Sequence, residues 1–129
     1  MKLLQIRLMV KDFKKSAAFY KDLLGFTVSY YSEEQEYALF DTGETKIELL
    51  AHQAIADIVG EAGMTLDTVA PSRFLLNLSV EDVDASFTEL RDKGIEFVTQ
   101  PHDRPEWSAR VAHFRDVDGN LLEIYRMLS

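Results

Sequence analysis

The chain has 129 residues, of which 47% are hydrophobic and 28% charged, with no cysteine and a formal net charge of −8. That length suits one compact domain, and the lack of cysteine excludes disulfides, thiolate nucleophiles and thiolate-bound metals. The acidic balance disfavours nucleic acid as a partner, since phosphate backbones are bound chiefly by lysine and arginine. No apolar run approaches the roughly 20 residues of a membrane-spanning helix, and the N-terminus lacks the succession of a signal peptide. A cytoplasmic protein with no membrane partner is the expectation.

Residues 3–10 alternate. Leu4, Ile6, Leu8 and Val10 form an apolar row, and Gln5, Arg7 and Met9 point to the other face of an expected strand. Asp12 is placed to cap a helix over 13–24, in which Phe13, Ala17, Tyr20 and Leu24 share a face and Gly25 supplies the stop. Residues 26–31, 37–41 and 45–50 then read as three short strands, which makes a βαβββ unit.

A connection over 51–72 follows, longer than most loops in compact domains and therefore a candidate for function. Ile55, Ile58, Val59 and Met64 give it the makings of a helical turn. The grammar then repeats: a strand over 74–80, Asp82 as cap, Val83, Phe87 and Leu90 on one helix face, and Gly94 as stop. Strands are expected over 95–98, 110–115 and 121–125, with the DVDGN segment at 116–120 as a tight turn.

The chain thus states one unit twice. Val10, Asp12 and Gly25-Phe26 return as Val80, Asp82 and Gly94-Ile95; Asp41, Ile47, Glu48 and Leu49 return as Asp116, Leu122, Glu123 and Ile124. One domain, 1–129, is expected, with a first module of about 1–50, the connection, and a second module of about 73–129. Two such halves imply a cleft between them. The strand faces turned away from the helices would line it, carrying Gln5, Arg7 and Met9 from the first strand and Leu75, Asn77 and Ser79 from its counterpart. Glu48 and Glu123, each flanked by apolar residues, are repeat-equivalent carboxylates on that face, the sharpest chemical signal in the chain.

These features resemble the vicinal oxygen chelate superfamily, which contains glyoxalase I, extradiol dioxygenases, fosfomycin-resistance enzymes and bleomycin-resistance proteins. The carriers are V-K-D-F-K-K-S-A-A-F-Y-K-D-L-L-G-F at 10–26, T-K-I-E-L at 45–49 and R-D-V-D-G-N-L-L-E-I at 115–124. Val117 stands where the family usually has proline. The resemblance implies an α+β protein of two tandem βαβββ modules forming a curled mixed sheet around a cleft (the glyoxalase/bleomycin resistance/dioxygenase fold). It also implies a homodimer, with Trp107 or the 51–72 connection contributing contacts.

In metal-dependent relatives four ligands come from the first and last strands of each module. Those positions are Gln5, Glu48, Leu75 and Glu123 here. Leucine cannot coordinate, so a histidine position is lost, while Gln5 and the two glutamates leave three oxygen donors for a hard divalent cation. Two readings follow from the resemblance. The leading one is a metal-free protein similar to bleomycin-resistance proteins, with no cofactor, binding a small cationic or aromatic ligand in an acidic, aromatic-lined cleft. The alternative is a divalent-metal-dependent lyase, isomerase or dioxygenase using Gln5, Glu48 and Glu123, with His113 as a candidate substitute for the lost ligand. A third, an interaction module with an empty cleft, would answer to no ligand.

Other residues refine the choice. Arg7, on the face of Gln5, is placed to neutralise Glu48 or Glu123 where a metal sits in relatives. His113 shares a face with Glu123 if its register follows Ala38; a one-residue slip puts Ala112 there instead. Trp107 and Arg110, within R-P-E-W-S-A-R at 104–110, read as a stacking wall and an anion clamp, or as an edge closure; Ser108 replaces a usual glycine. Tyr30, Tyr31, Tyr37 and Phe40 supply aromatic surface or ordinary core. His52 and His102 lie in expected connections and carry no signal. Ser16, Ser72 and Ser108 read as structural. No phosphate loop, nucleophile elbow or HExxH motif is present.

Overall fold

A computed structural model describes residues 1–67 and 70–129. The small part of the expected connection at 68–69 lies outside the described residues. The chain forms two compact units, Met1–Val69 and Ala70–Ser129.

In the first unit, β1 (Ile6–Val10), α1 (Phe13–Ala18), β2 (Thr27–Ser32), β3 (Tyr37–Asp41), β4 (Lys46–Ala51) and the short α2 (Gln53–Ala56) follow in order. Their sheet runs β1-β4-β3-β2, with β1 and β4 parallel and the other pairs antiparallel. The second unit repeats the pattern with β5 (Leu75–Ser79), α3 (Val83–Asp92), β6 (Phe97–Arg104), β7 (Ala109–Arg115) and β8 (Leu121–Met127), ordered β5-β8-β7-β6. Neither sheet closes into a barrel.

The helix starts behave as expected. Asp12 accepts from the Lys15 amide at 3.1 Å and Asp82 from the Ala85 amide at 3.0 Å, each satisfying an otherwise orphaned donor. The end of the first helix differs from expectation. After Ala18 the turn widens into a π-helix over Phe19–Leu23, closed by the Leu24 amide on the Phe19 carbonyl. The wider turn lets Phe19 and Tyr20 both be buried. Tyr20 is fully enclosed and packs against Phe26 and Phe40 with centroids 6.2 Å away in each case. Gly25, at φ 75°, then reverses the chain.

Three further boundaries move. Leu3 and Leu4 precede β1 and stay exposed, so the apolar row of that strand begins at Ile6. β6 runs on to Arg104 rather than ending at 98, because it is an edge strand and its two register shifts against β7 accommodate Pro101 where no ladder hydrogen bond is required. β8 continues to Met127, paired with Ala109.

Each sheet turns its apolar row onto its own helix. Leu8, Val10, Phe40, Ile47 and Leu49 pack with Phe13 and Ala17; Leu76, Phe114, Leu122 and Ile124 belong to the core of the second unit with Val83 and Leu90. Each fully buried large side chain contributes about 1.5–3 kcal/mol. Phe40 is therefore core, not ligand surface. The turn at 116–120 forms although Val117 replaces proline: Asp116 Oδ1 accepts from the Asp118 and Asn120 amides at 3.0 and 2.8 Å, and Gly119 supplies the positive φ of 86°.

Candidate functional site

The sheet face opposite α1 gathers polar residues by register. Arg7 pairs with Glu48 across the parallel β1/β4 ladder, and Leu39 pairs with Glu48 across β3/β4, so all three share a face. Tyr37 lies two residues from Leu39, and Tyr30 pairs with Leu39 from β2, which brings both rings to the same face. Their centroids are 5.8 Å apart.

Glu48 is buried, and its two oxygens are engaged from two sides. Arg7 Nε donates to Oε1 at 3.0 Å and Nη2 to Oε2 at 3.4 Å, while the Tyr37 hydroxyl donates to Oε2. Burial pushes the Glu48 carboxyl up, but hydrogen bonds from Tyr37 and Arg7, the Arg7 charge and a hydrogen bond from Gln5 outweigh it and hold the group below the usual carboxylate range. Burial, with the adjacent carboxylate, pushes the Tyr37 hydroxyl up to about 12. The pair is lopsided: the Glu48 side chain is 3% exposed and that of Arg7 45%.

The second unit builds a different cluster at the equivalent place. Asn77 and His113 both pair with Glu123, from β5 and β7, and Thr99 pairs with His113 from β6. Asn77 Nδ2 donates to Glu123 Oε2, and His113 Nε2 lies 2.9 Å from Oε1. On the other side of the ring, Nδ1 lies 2.8 Å from the Thr99 hydroxyl oxygen. The same Thr99 oxygen accepts the His113 amide at 3.0 Å.

His113 thus faces Glu123, but its counterpart in the first unit is Leu39, not Ala38. Ala38 pairs with Leu49 and Ala112 with Ile124, both on the helix side and fully buried. The alternation of β7 places 111 and 113 together, and only the pairing of Glu48 with Leu39 reveals the equivalence.

The four positions that hold metal in relatives do not fit a metal here. Leu75 offers no donor atom, Glu48 already carries a guanidinium and a phenol, and Glu123 is held by Asn77 and His113. Among the described residues no group of three or more histidine, aspartate or glutamate side chains is arranged to hold a metal ion.

Arg110 is committed elsewhere than to an open anion clamp. Its Nε and Nη2 bind both oxygens of Asp84 at 2.8 Å, and Nη1 binds Asp103 at 2.9 Å. The hydrogen bond from Arg110 holds the Asp84 carboxyl low and outweighs desolvation. Trp107 is exposed on a 3₁₀ turn with the Arg104 guanidinium 5.6 Å from its ring. Ser108 takes a left-handed φ of 52°, a conformation that the glycine expected here from the resemblance would adopt without a Cβ penalty.

Two histidines without sequence signal have definite surroundings. His52 is buried, with Nε2 2.6 Å from Glu61 Oε1, and borders a cavity of about 270 Å³ that includes Lys11, Glu36, Gln53, Met64 and Asp67. α2 folds the chain back over His52, which no periodicity announces. His102 donates from Nδ1 to the Gln100 carbonyl at 2.7 Å, and its ring lies 6.1 Å from that of His113. A second cavity, of about 400 Å³, lies by Lys11, Phe13 and Glu33.

Paired βαβββ units, each with its first strand parallel to its last, define the glyoxalase/bleomycin resistance/dioxygenase fold. The chain belongs to the Glyoxalase/Bleomycin resistance protein/Dioxygenase superfamily, whose profile matches residues 2–124. It is 61% identical over 128 residues to the uncharacterized protein YraH of Bacillus subtilis strain 168, covering 99% of this chain and 100% of the relative. Among solved structures, a glyoxalase/bleomycin resistance protein/dioxygenase from Nocardioides superposes with a TM-score of 0.80 at 26% identity, covering 100% of this chain and 85% of the other. A family enzyme from Burkholderia phytofirmans PsJN gives a TM-score of 0.81 at 23% identity, covering 99% and 100%, and shows the fold alone.

Proposed function

We propose that the protein binds a small organic ligand on the β1/β4/β3 face around Arg7, Tyr37 and Glu48, without the four-ligand metal centre known in its superfamily. The observation that carries this reading is the occupation of Glu48 by Arg7 and Tyr37, which puts a fixed organic cation beside the carboxylate that a metal would need. The same occupation weakens the idea of a cationic ligand drawn to a free carboxylate and favours one with an aromatic body, for which the Tyr30–Tyr37 pair offers a flat wall. A thermal-shift and calorimetric screen of small aromatic compounds tests it. Binding that Tyr37→Ala abolishes supports the reading; compounds that bind equally well to that variant would contradict it.

The alternative, a divalent-metal-dependent lyase, isomerase or dioxygenase, is favoured by one observation: Glu48 and Glu123 occupy equivalent registers in the two units. It requires both carboxylates to exchange their present partners for a metal.

A further inference from the structure

The Arg7–Glu48 pair leaves half of a guanidinium unspent. Nε and Nη2 are fixed on Glu48, whereas Nη1 has no protein partner among the described residues, and the side chain is nearly half exposed beside a buried acid. A guanidinium held along one edge by a carboxylate is pre-oriented along its other edge, so further hydrogen bonds cost little additional ordering. Tyr37 fastens Oε2, the oxygen that Nη2 also meets, and brings the Tyr30–Tyr37 ring pair to the same sheet face.

We propose that Arg7 is a built-in oxyanion receptor, its free Nη1 edge binding a carboxylate or phosphonate group on a ligand whose flat apolar body lies against Tyr30 and Tyr37. Arg7 thereby supplies, as a fixed cation on Glu48, the positive charge that an ion would bring to that carboxylate. The inference rests on the reading of this face as a ligand site and adds the charge of the ligand to it. The acidic surface is no obstacle at contact distance, because solvent screens the distant charges within about 10 Å while the guanidinium meets the anion directly.

The test uses the intact protein and matched probes: benzoate and phenylphosphonate as anions, benzyl alcohol as the neutral analogue and benzylamine as the cationic one. Charge-assisted hydrogen bonds should make the anions bind roughly ten-fold or more tightly than the other two. Arg7→Met should remove that preference and Arg7→Lys restore part of it, since lysine keeps the charge but not the fork. In case Arg7→Met is unstable, the Arg7 side-chain N–H resonances of the unaltered protein give a second readout and should shift with benzoate but not with benzylamine. Equal affinity for all four probes, or an anion preference that survives Arg7→Met, overturns the proposal while leaving a ligand site at Tyr30 and Tyr37 standing. Probes that perturb neither Arg7 nor the tyrosines overturn both.

Discussion

Arg7 and Glu48 sit opposite each other in the parallel β1/β4 ladder, and the 3.0 Å contact between guanidinium and carboxylate joins a half-exposed cation to a buried anion. The ladder register fixes that neighbourhood, and the pleat that sends Leu8 and Val10 into the core sends Arg7 to the opposite face.

Removing Arg7 therefore strips a buried carboxylate of its main charge partner. A fully buried pair would cost about 3–5 kcal/mol on losing one member. Because Arg7 keeps solvent on one side, Arg7→Ala is expected to cost less, about 1–3 kcal/mol, in chemical denaturation. A double-mutant cycle with Glu48→Gln should return a coupling above about 0.5 kcal/mol. Additive effects would show that the contact is incidental.

Acid should find the same residue. The folded state holds the Glu48 carboxyl below its ordinary 4.5, so its contribution is complete above about that pH and is lost as pH falls through the lower folded value. Stability of the unaltered protein should decline more steeply below pH 4.5 than that of Glu48→Gln. Parallel acid-denaturation curves would contradict the assignment.

Tyr37 provides the alkaline counterpart. Its hydroxyl is raised from 10.0 to about 12, so the stability it contributes is present below pH 10 and fades as pH rises through 12. An absorbance titration of phenolate should contain a late step near pH 12 that disappears in Tyr37→Phe and moves down in Glu48→Gln. A titration unchanged by either substitution would exclude the hydrogen bond.

At Ser108 the chain takes a left-handed conformation that L side chains resist. Ser108→Gly should raise stability by about 0.5–1 kcal/mol, the relief of strain exceeding the added freedom of the unfolded chain. A lower melting temperature would mean that the Ser108 side chain contributes something else.

Much of this architecture was legible in the chain. Alternation around Leu8 and Leu49 gave the strand faces, Asp12 and Asp82 gave the helix starts, and the repeat of I-E-L as L-E-I gave the two carboxylates. Strand parity put Arg7 on the face of the carboxylates, and the parallel ladder chose Glu48 rather than Glu123 as its partner. Pairwise register was less accessible: β7 reads the same whether Ala38 or Leu39 is taken as the first-unit counterpart of His113, and only the hydrogen-bonded ladder decides. The π-turn at Phe19–Leu23 arises because two large rings seek the core at once, a tertiary demand that helical periodicity does not encode. The burial of His52 and the continuation of β6 past Pro101 likewise depend on what packs or fails to pack beside them.

Protein groups satisfy both Glu48 and Glu123, and metal content is the decisive check. Protein purified without chelators should contain no stoichiometric divalent metal, and its melting temperature should stay fixed when Ni²⁺, Zn²⁺, Mn²⁺ or Fe²⁺ is added. One equivalent of metal that stabilises the native protein, and that Glu48→Gln or Glu123→Gln expels, would contradict it.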